Sequence, residues 1–478
     1  MTSRRQFIHS TGIAATALML QKSKAFSLAP NDFVSKRPPL AERKFTSDAV
    51  EATIVKIKKQ IADPELAWIF ENCFPNTLDT TVDFEIIDGK PDTYVITGDI
   101  DAMWLRDSTA QVWPYLPLIK NDKHLQQLIA GVINRQVKCI HLDRYANAFY
   151  KDPNKISEWK SDLTDMKPGI HERKWEIDSL CYPVRLAHQY WKDTGDTTPF
   201  DKKWEESIGL ILKTFIEQQR KEGEGPYSFQ RTTAWATDGV PLGGYGYPVK
   251  PVGLICSMFR PSDDATIFPF LIPSNFFAVV SLRDAAEMVN TISGNKNLSD
   301  ECKALANEVE SELKKYAIIH SPQVEEIYGY EINGFGSFNL MDDANVPSLL
   351  SLPYLNAVPG NDPLYQKTRK FVLSQNNPFF FKGSAGEGVG GPHAGMDMIW
   401  PLSIIMRGLT SDNAAEVKQC LQTLKHSNAG TGFMHESFNK NDASNFTRKW
   451  FAWANTLFGE LVIHTSQKYP AILSSKFS

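Results

Sequence analysis

The chain has no Cys-x-x-Cys pair, no phosphate-cradling glycine loop and no Gly-x-Ser-x-Gly turn. A redox couple, a zinc ribbon, nucleotide-phosphate chemistry and acyl transfer on a nucleophile elbow are therefore disfavoured. Its six cysteines, at 73, 139, 181, 256, 302 and 420, are scattered and read as buried free thiols. Basic runs do not exceed patches such as Lys56-Ile-Lys-Lys59, and 51 basic residues face 55 acidic ones. That balance excludes nucleic acid and anionic membranes as expected partners. No apolar run is long enough to span a bilayer, and no linker or low-complexity tract divides the chain.

At 478 residues, 42% of them hydrophobic, the chain can bury a large core without disulfides or structural metal. Its first residues read as an address rather than a fold element. Ser3-Arg-Arg-Gln-Phe-Ile8, the apolar stretch 12–20 and Ser23-Lys-Ala25 have the pattern of a twin-arginine export signal occupying 1–25. The expected location is periplasmic or secreted. A lead-in segment, 26–45, and a single catalytic domain, 46–478, follow.

Past residue 45, apolar residues recur at helical spacing. The expected helices are 49–61, 105–119, 124–140, 177–191, 204–220, 273–289, 299–318, 364–373, 396–406, 414–424 and 448–469, with a short one near 346–354. Strands are scarce, with 94–97 and 325–330 the candidates. Connections alternate between brief polar turns and long stretches rich in glycine, proline and aromatics, at 80–104, 142–175, 222–272, 321–345, 378–395 and 427–447. In an array of antiparallel helical hairpins, alternate connections emerge on opposite faces. Long loops in compact domains are usually functional. The pattern predicts an all-α (α/α)6 barrel with minor β decoration and a walled pocket on its long-loop face.

The long loops carry the chemistry. Gly253-Leu-Ile-Cys-Ser-Met-Phe-Arg-Pro-Ser-Asp-Asp-Ala265 sets Asp263 and Asp264 beside Arg260. Adjacent side chains point apart, so one acid is expected to face the pocket and the other to be held by Arg260. Thr431-Gly-Phe-Met-His-Glu-Ser-Phe438 supplies Glu436, whose neighbours His435 and Ser437 would keep it ionised. Two carboxyls in contrasting settings, one protonated and one ionised, are the minimum equipment for cutting a glycosidic bond.

Trp104, Arg106 and Asp107 close the first long loop, where an Arg–Asp pair can bracket vicinal hydroxyls and a Trp can pack on a sugar ring. Helix capping by Asp107 or Ser108 is the competing role. Tyr145 and Asn147 are possible hydroxyl contacts, with loop packing as the alternative. Glu176 and Asp178 open a helix, where acids favour the positive dipole end; that structural role is preferred to direct chemistry. Met341-Asp-Asp-Ala-Asn345, including Asn345, lacks calcium-loop spacing and suggests hydrogen bonding to substrate or structure. His393 follows in Gly390-Gly-Pro-His-Ala-Gly-Met-Asp397.

Taken together, these segments resemble glycoside hydrolase family 125, exo-acting α-1,6-mannosidases. The likeness rests on Gly98-Asp-Ile-Asp-Ala-Met-Trp-Leu-Arg-Asp-Ser-Thr-Ala-Gln111, Phe259-Arg-Pro-Ser-Asp-Asp264, Asp342-Asp-Ala-Asn-Val-Pro-Ser-Leu-Leu350, Gly390-Gly-Pro-His393, Trp400-Pro401, His435-Glu-Ser-Phe438 and Phe446-Thr-Arg-Lys-Trp-Phe-Ala-Trp-Ala-Asn455. It implies an (α/α)6 barrel that inverts the anomeric carbon without a metal or other cofactor. By the same likeness Asp263, with Asp264 as fallback, is the acid, Glu436 is the base, and Arg106, Asp107 and His393 contact the terminal mannose. Met258, Phe259 and Phe268 are the expected apolar wall raising the pKa of the acid. The implied partner is a mannose-containing oligosaccharide, met by a monomer. A polysaccharide lyase on a similar toroid and a non-catalytic glycan-binding protein are the rival functions.

Overall fold

The computed structural model describes residues 33–321 and 324–477. The export-signal segment, 1–25, lies outside the described residues. Among the described residues fourteen α-helices punctuate long loops: α1 Asp48–Lys58, α2 Pro64–Cys73, α3 Asn76–Thr80, α4 Leu105–Val112, α5 Lys123–Leu142, α6 Ile177–Thr194, α7 Lys202–Gln218, α8 Ile272–Met288, α9 Lys296–Tyr316, α10 Pro363–Val372, α11 Pro401–Leu409, α12 Ala414–His426, α13 Ala452–Lys468 and α14 Pro470–Leu473. Every β-element among the described residues is short and sits in a two- or three-stranded sheet within a loop.

An inner and an outer layer follow from burial. All eight residues of α4 are buried, and α8 and α13 are buried on nearly every side. Such helices must be walled in all round. By contrast α9, with Cys302, Leu305, Val309 and Leu313 on one stripe, gives its remaining face to solvent. Among the inner helices, α4 packs on α6 and α6 on α8, while α11 packs on α13 and α13 returns to α4. Outside, α5 meets α7 and α7 meets α9, and α2 lies against both α12 and α13. The start of the chain thus covers its end, and the helices form an (α/α)6 barrel. Residues Ser35–Ser478 make one compact unit.

One inner position is not a helix. The expected segment near 346–354 is a chain of turns. Pro347 and Pro353 cannot supply interior N–H groups. Instead the buried Asp342 carboxylate accepts the Leu349 and Leu350 N–H groups at 2.8 and 3.0 Å, and Tyr365 donates to the Leu350 carbonyl at 2.8 Å. Side chains do here what a helical ladder does elsewhere. Proline also moves two boundaries. The helix expected at 396–406 begins at Pro401, and α2, absent from the sequence expectation, begins at Pro64 behind its Asp63 cap. The helix expected from 448 starts at Ala452, after a hairpin that pairs Ser437 with Thr447.

Ring closure is backbone-mediated. Gly98 bridges Phe451, and the Ala452 N–H donates to the Thr97 carbonyl at 3.1 Å. Gly98 has φ +123°, and a Cβ there would stand 2.6 Å from the Trp450 carbonyl oxygen.

Candidate active site

Successive inner elements run in the same direction, because each is separated from the next by an outer return. Arg106 and Asp107 stand at the N-terminus of α4, and Glu176 and Asp178 at that of α6. The 259–265 loop precedes α8, His393 precedes α11, and Glu436 and Arg448 precede α13. All of them therefore arrive at one mouth of the barrel.

Arg106 is the hub. Its Nη1 donates to Glu176 Oε2 at 2.6 Å and to Asp178 Oδ2 at 3.1 Å, and its Nη2 to Asp263 Oδ1 at 3.4 Å. Asp107 Oδ2 lies 3.5 Å from its Nε. Neither Asp107 nor Ser108 caps α4. Four carboxyl groups thus surround one guanidinium, all largely withdrawn from water. Burial raises the pKa of Asp107 and of Asp178 to about 6 against the pull of Arg106, and it drives Glu176 well above the carboxylate range.

Asp263 and Asp264 do point apart, for a backbone reason. Asp263 has φ 67°, left-handed backbone that costs a non-glycine residue on the order of 1–3 kcal/mol. The turn is closed by the Asp263 N–H on the Arg260 carbonyl and the Arg260 N–H on the Asp264 carbonyl, at 2.9 and 2.8 Å. The Asp263 side chain keeps 23% of its exposure, whereas that of Asp264 keeps 2%. Asp264 accepts from Thr237 at 2.8 Å and sits 3.5 Å from His393 Nδ1. Arg260 does not hold it. That guanidinium is committed to Glu331 at 2.6 Å, and Glu331 also receives the Ile267 and Phe268 N–H groups, pinning the loop from beneath.

The described side-chain partners of Asp263 are polar rather than the expected apolar wall. Phe259 is packed edge-on against Phe229, and Met258 sulfur takes a contact from Arg220. Asp263 has polar company instead: Arg106, the Asn147 amide at 3.3 Å, and Lys174, whose Nζ donates to the Asp263 carbonyl at 2.8 Å and to Asp238 at 2.6 Å. Burial works to raise the Asp263 pKa, but Arg106, Lys174, a hydrogen bond with Glu176 and the His393 charge outweigh it and hold the group below the ordinary aspartate value.

Glu436 is buried and lies 3.4 Å from Arg448 Nη1. Arg448 also binds Asp99 at 2.5 Å and, like Asp263, has positive φ, at 35°. The polar neighbours expected for Glu436 are engaged elsewhere: His435 stacks on Phe446 at 3.7 Å, and the hydroxyls of Ser437 and Thr447 bond each other. His393 pairs with Asp264 through its Nδ1 at 3.5 Å. Burial alone would lower its pKa, but the Asp264 hydrogen bond, with Glu436 and Asp263 adding their charges, raises it to about 9.

The remaining sequence candidates divide. Trp104 lies in the wall with Ala102 and Ala148, edge-on to His171, its indole N–H without a partner among the described residues. Asn147 joins the Asp263 cluster. Tyr145 does not: it stacks on Tyr227, and its hydroxyl donates to Glu217 of α7 at 2.8 Å, which is loop packing. Asn345 turns to Asp343, whose other oxygen accepts from Ser262, so it supports the loop from below. Glu176, Asp178, Lys174, Thr237 and Arg448 are at the site, yet the sequence assigned none of them a place there. Only the aromatic, acidic texture of their loops signalled them. Among the described residues, no group of three His, Cys, Asp or Glu has a metal-holding arrangement.

A helical toroid whose mouth gathers paired carboxyls and guanidinium groups suits a glycoside hydrolase, which needs two carboxyls and a concave site. The model of the metal-independent α-mannosidase family (GH125) matches residues 63–463, and the chain belongs to that family. It is 41% identical over 463 residues to the meiotically up-regulated gene 157 protein of Schizosaccharomyces pombe, covering 93% of this chain and 90% of that one. It is also similar to a metal-independent α-mannosidase of Streptococcus pneumoniae, solved in a non-productive complex with α-1,6-mannobiose. That match has 40% identity and a TM-score of 0.84, and covers 88% of this chain and 99% of the other. A bacterial glucoamylase complexed with acarbose shares the fold alone, at 12% identity and a TM-score of 0.52 over 90% of this chain and 59% of its own.

Proposed function

We propose that this protein removes non-reducing terminal α-1,6-linked mannose from oligosaccharides with inversion. Asp263 protonates the leaving oxygen, and Glu436 activates the attacking water from the opposite ring face. The observation that carries this reading is that Asp263, from the loop before α8 and paired with Arg106, and Glu436, from the hairpin before α13 and paired with Arg448, arrive at the same mouth of the barrel. The linkage is supported by the disaccharide bound to the pneumococcal relative.

Asp263 is preferred to Asp264 as the acid because its side chain keeps access to the mouth, whereas Asp264 is enclosed by Thr237 and His393. Arg448 pairs with Glu436 at 3.4 Å and orients it. Arg106, Asp107 and His393 offer donors and acceptors to the hydroxyls of the terminal sugar. Inversion requires carboxyls roughly 6.5–9.5 Å apart, so that water fits between base and anomeric carbon. Proton NMR of the first-formed sugar tests the stereochemistry: β-mannose appearing first is expected, and α-mannose first refutes it. Incubation with linkage-defined mannobioses in the presence of chelator tests linkage and metal dependence together. Release from the 1,6 isomer alone, undiminished by chelator, is the expected result.

We also propose that the protein acts as a monomer and is exported, the second resting on Arg4 and Arg5 ahead of the apolar stretch 12–20. Replacing both arginines by lysine should retain the chain inside the cell. Among the described residues no helix is long and apolar enough to cross a membrane.

A further inference from the structure

Three separate stretches of chain are tied together at Asn147, which is fully enclosed by protein. Its carbonyl accepts the Leu105 N–H at 3.1 Å, so its backbone is fixed to the entry of α4, one residue before Arg106. Its side-chain Oδ1 accepts the Lys174 N–H at 3.1 Å, which ties it to the segment leading into α6. A backbone N–H can only donate, so the amide has one orientation and its Nδ2 faces the other way. That nitrogen reaches two carboxyls, Asp263 Oδ1 at 3.3 Å and Glu172 Oε2 at 3.4 Å.

The two contacts differ in consequence. Glu172 is buried and is already met through Oε1 by Arg231 at 2.9 Å and by Lys174 at 3.4 Å. Asp263 is the partner that keeps access to the mouth. Its Oδ1 also takes Nη2 of Arg106 at 3.4 Å. Because Leu105 is bonded to Asn147, both donors come to that oxygen from one backbone junction. Neither a guanidinium nor an amide N–H can accept, so Oδ1 serves as an acceptor only. A proton on Asp263 is therefore carried by Oδ2. A further cation at position 147 would favour the ionised acid still more, whereas an amide gives direction without adding a charge.

We infer that Asn147 is a positioning residue for the acid: together with Arg106 it holds Oδ1 of Asp263, so that the proton for the leaving oxygen is presented on Oδ2. This role presupposes that Asp263 is the acid, as proposed above, and requires no contact between Asn147 and the sugar. As the glycosidic C–O bond breaks, the Oδ2 proton passes to the leaving oxygen while Glu436 takes one from the attacking water. The carboxylate left behind keeps both donors on Oδ1. The proton held by Glu436 returns to Asp263 through solvent, with no net gain or loss. The charged and titratable groups around Asp263 are Arg106 and Asp107 on α4, His171, Glu172 and Lys174 before α6, Glu176 and Asp178 at its start, and His393 before α11. Replacing Asn147 by alanine leaves their number and sign unchanged. An amide N–H donated to a carboxylate favours the ionised form, so its loss should raise the pKa of Asp263.

The test is the turnover of Asn147→Ala on two substrates, α-1,6-mannobiose and α-mannosyl fluoride, whose fluoride leaves with little protonic help. We expect kcat on mannobiose to fall by about tenfold or more, and turnover of the fluoride to change by less than about threefold. The alkaline limb of the mannobiose pH profile should move to higher pH by about half a unit or more. Asn147→Asp keeps the shape and the acceptor for the Lys174 N–H but turns an anionic oxygen toward Asp263. Its alkaline limb should move further in the same direction, and it serves as the test if the Ala variant does not fold. Equal losses on the two substrates, or an alkaline limb that stays or moves to lower pH in whichever variant folds, overturn the positioning role. A rise in KM shared by both substrates with kcat kept would mark a sugar contact and overturn it too. Asp263→Asn separates the two proposals. If it spares the fluoride while the Asn147 variants do not, Asp263 remains the acid and the positioning role fails. If Asp263→Asn costs both substrates equally, the assignment of the acid itself fails.

Discussion

Glu436 and His393 carry the predictions that belong to single residues. Glu436→Ala removes the group that would draw a proton from water while leaving Arg106, Asp107 and His393 in place. Turnover should fall by roughly 10²-fold or more with substrate affinity largely kept, as measured by initial rates beside calorimetric binding. His393 predicts a pH dependence of stability. Its folded pKa, about 9, lies above the ordinary histidine value, so the stability it contributes is complete below about 6.5 and is lost as pH rises through 9. Asp264 is depressed, chiefly by His393 acting against burial, so its share is lost as pH falls below the usual aspartate range. The pair therefore stabilises most between about pH 4 and 6.5. Urea midpoints of His393→Gln should trail the native protein most in that window and converge with it above pH 9. These roles were only partly legible. The loop text pointed to Asp263, Glu436, Arg106 and His393, which the fold brings to one mouth, but nothing in linear spacing says that Arg106 meets carboxyls 70, 72 and 157 residues downstream. Nor could it say that Glu331, rather than Asp264, takes up Arg260.

Elements were easier to read than their partners. Helical periodicity located α5, α6, α7, α8, α9 and α12 to within a few residues, because amphipathic or long apolar patterns announce themselves. Proline-bearing segments misled in both directions. A proline at the first position of α2 resembles a breaker, whereas the apolar texture of 346–354 resembles a helix although its backbone is held by side chains. That second case is testable. Asp342→Ala would leave the buried Leu349 and Leu350 N–H groups without acceptors, at about 1–3 kcal/mol each. The expected outcome is an unfolding free energy lowered by a few kcal/mol, read from chemical denaturation curves, along with loosening of the neighbouring Asp343–Ser262 support under the 259–265 loop.

At the scale of the whole molecule, the barrel is closed by one glycine and two strand-like contacts. Gly98→Ala would force a methyl into the Trp450 carbonyl on a backbone that L side chains rarely adopt. We expect a loss of about 2 kcal/mol or more, read by thermal unfolding, with mannosidase activity falling alongside because Arg448 enters the site from the adjoining hairpin.

That closure has a bearing on biosynthesis. Asp99 and Arg448, which meet across the seam, are 349 residues apart along the chain. At about 5–20 residues per second, a ribosome needs tens of seconds to deliver the second after the first. Throughout that interval α4 has no α13 to shelter it, and its eight residues, all buried in the finished fold, stay open to the cytosol. Nascent chains halted before residue 448 should accordingly be captured by holdase chaperones, while the finished polypeptide escapes them.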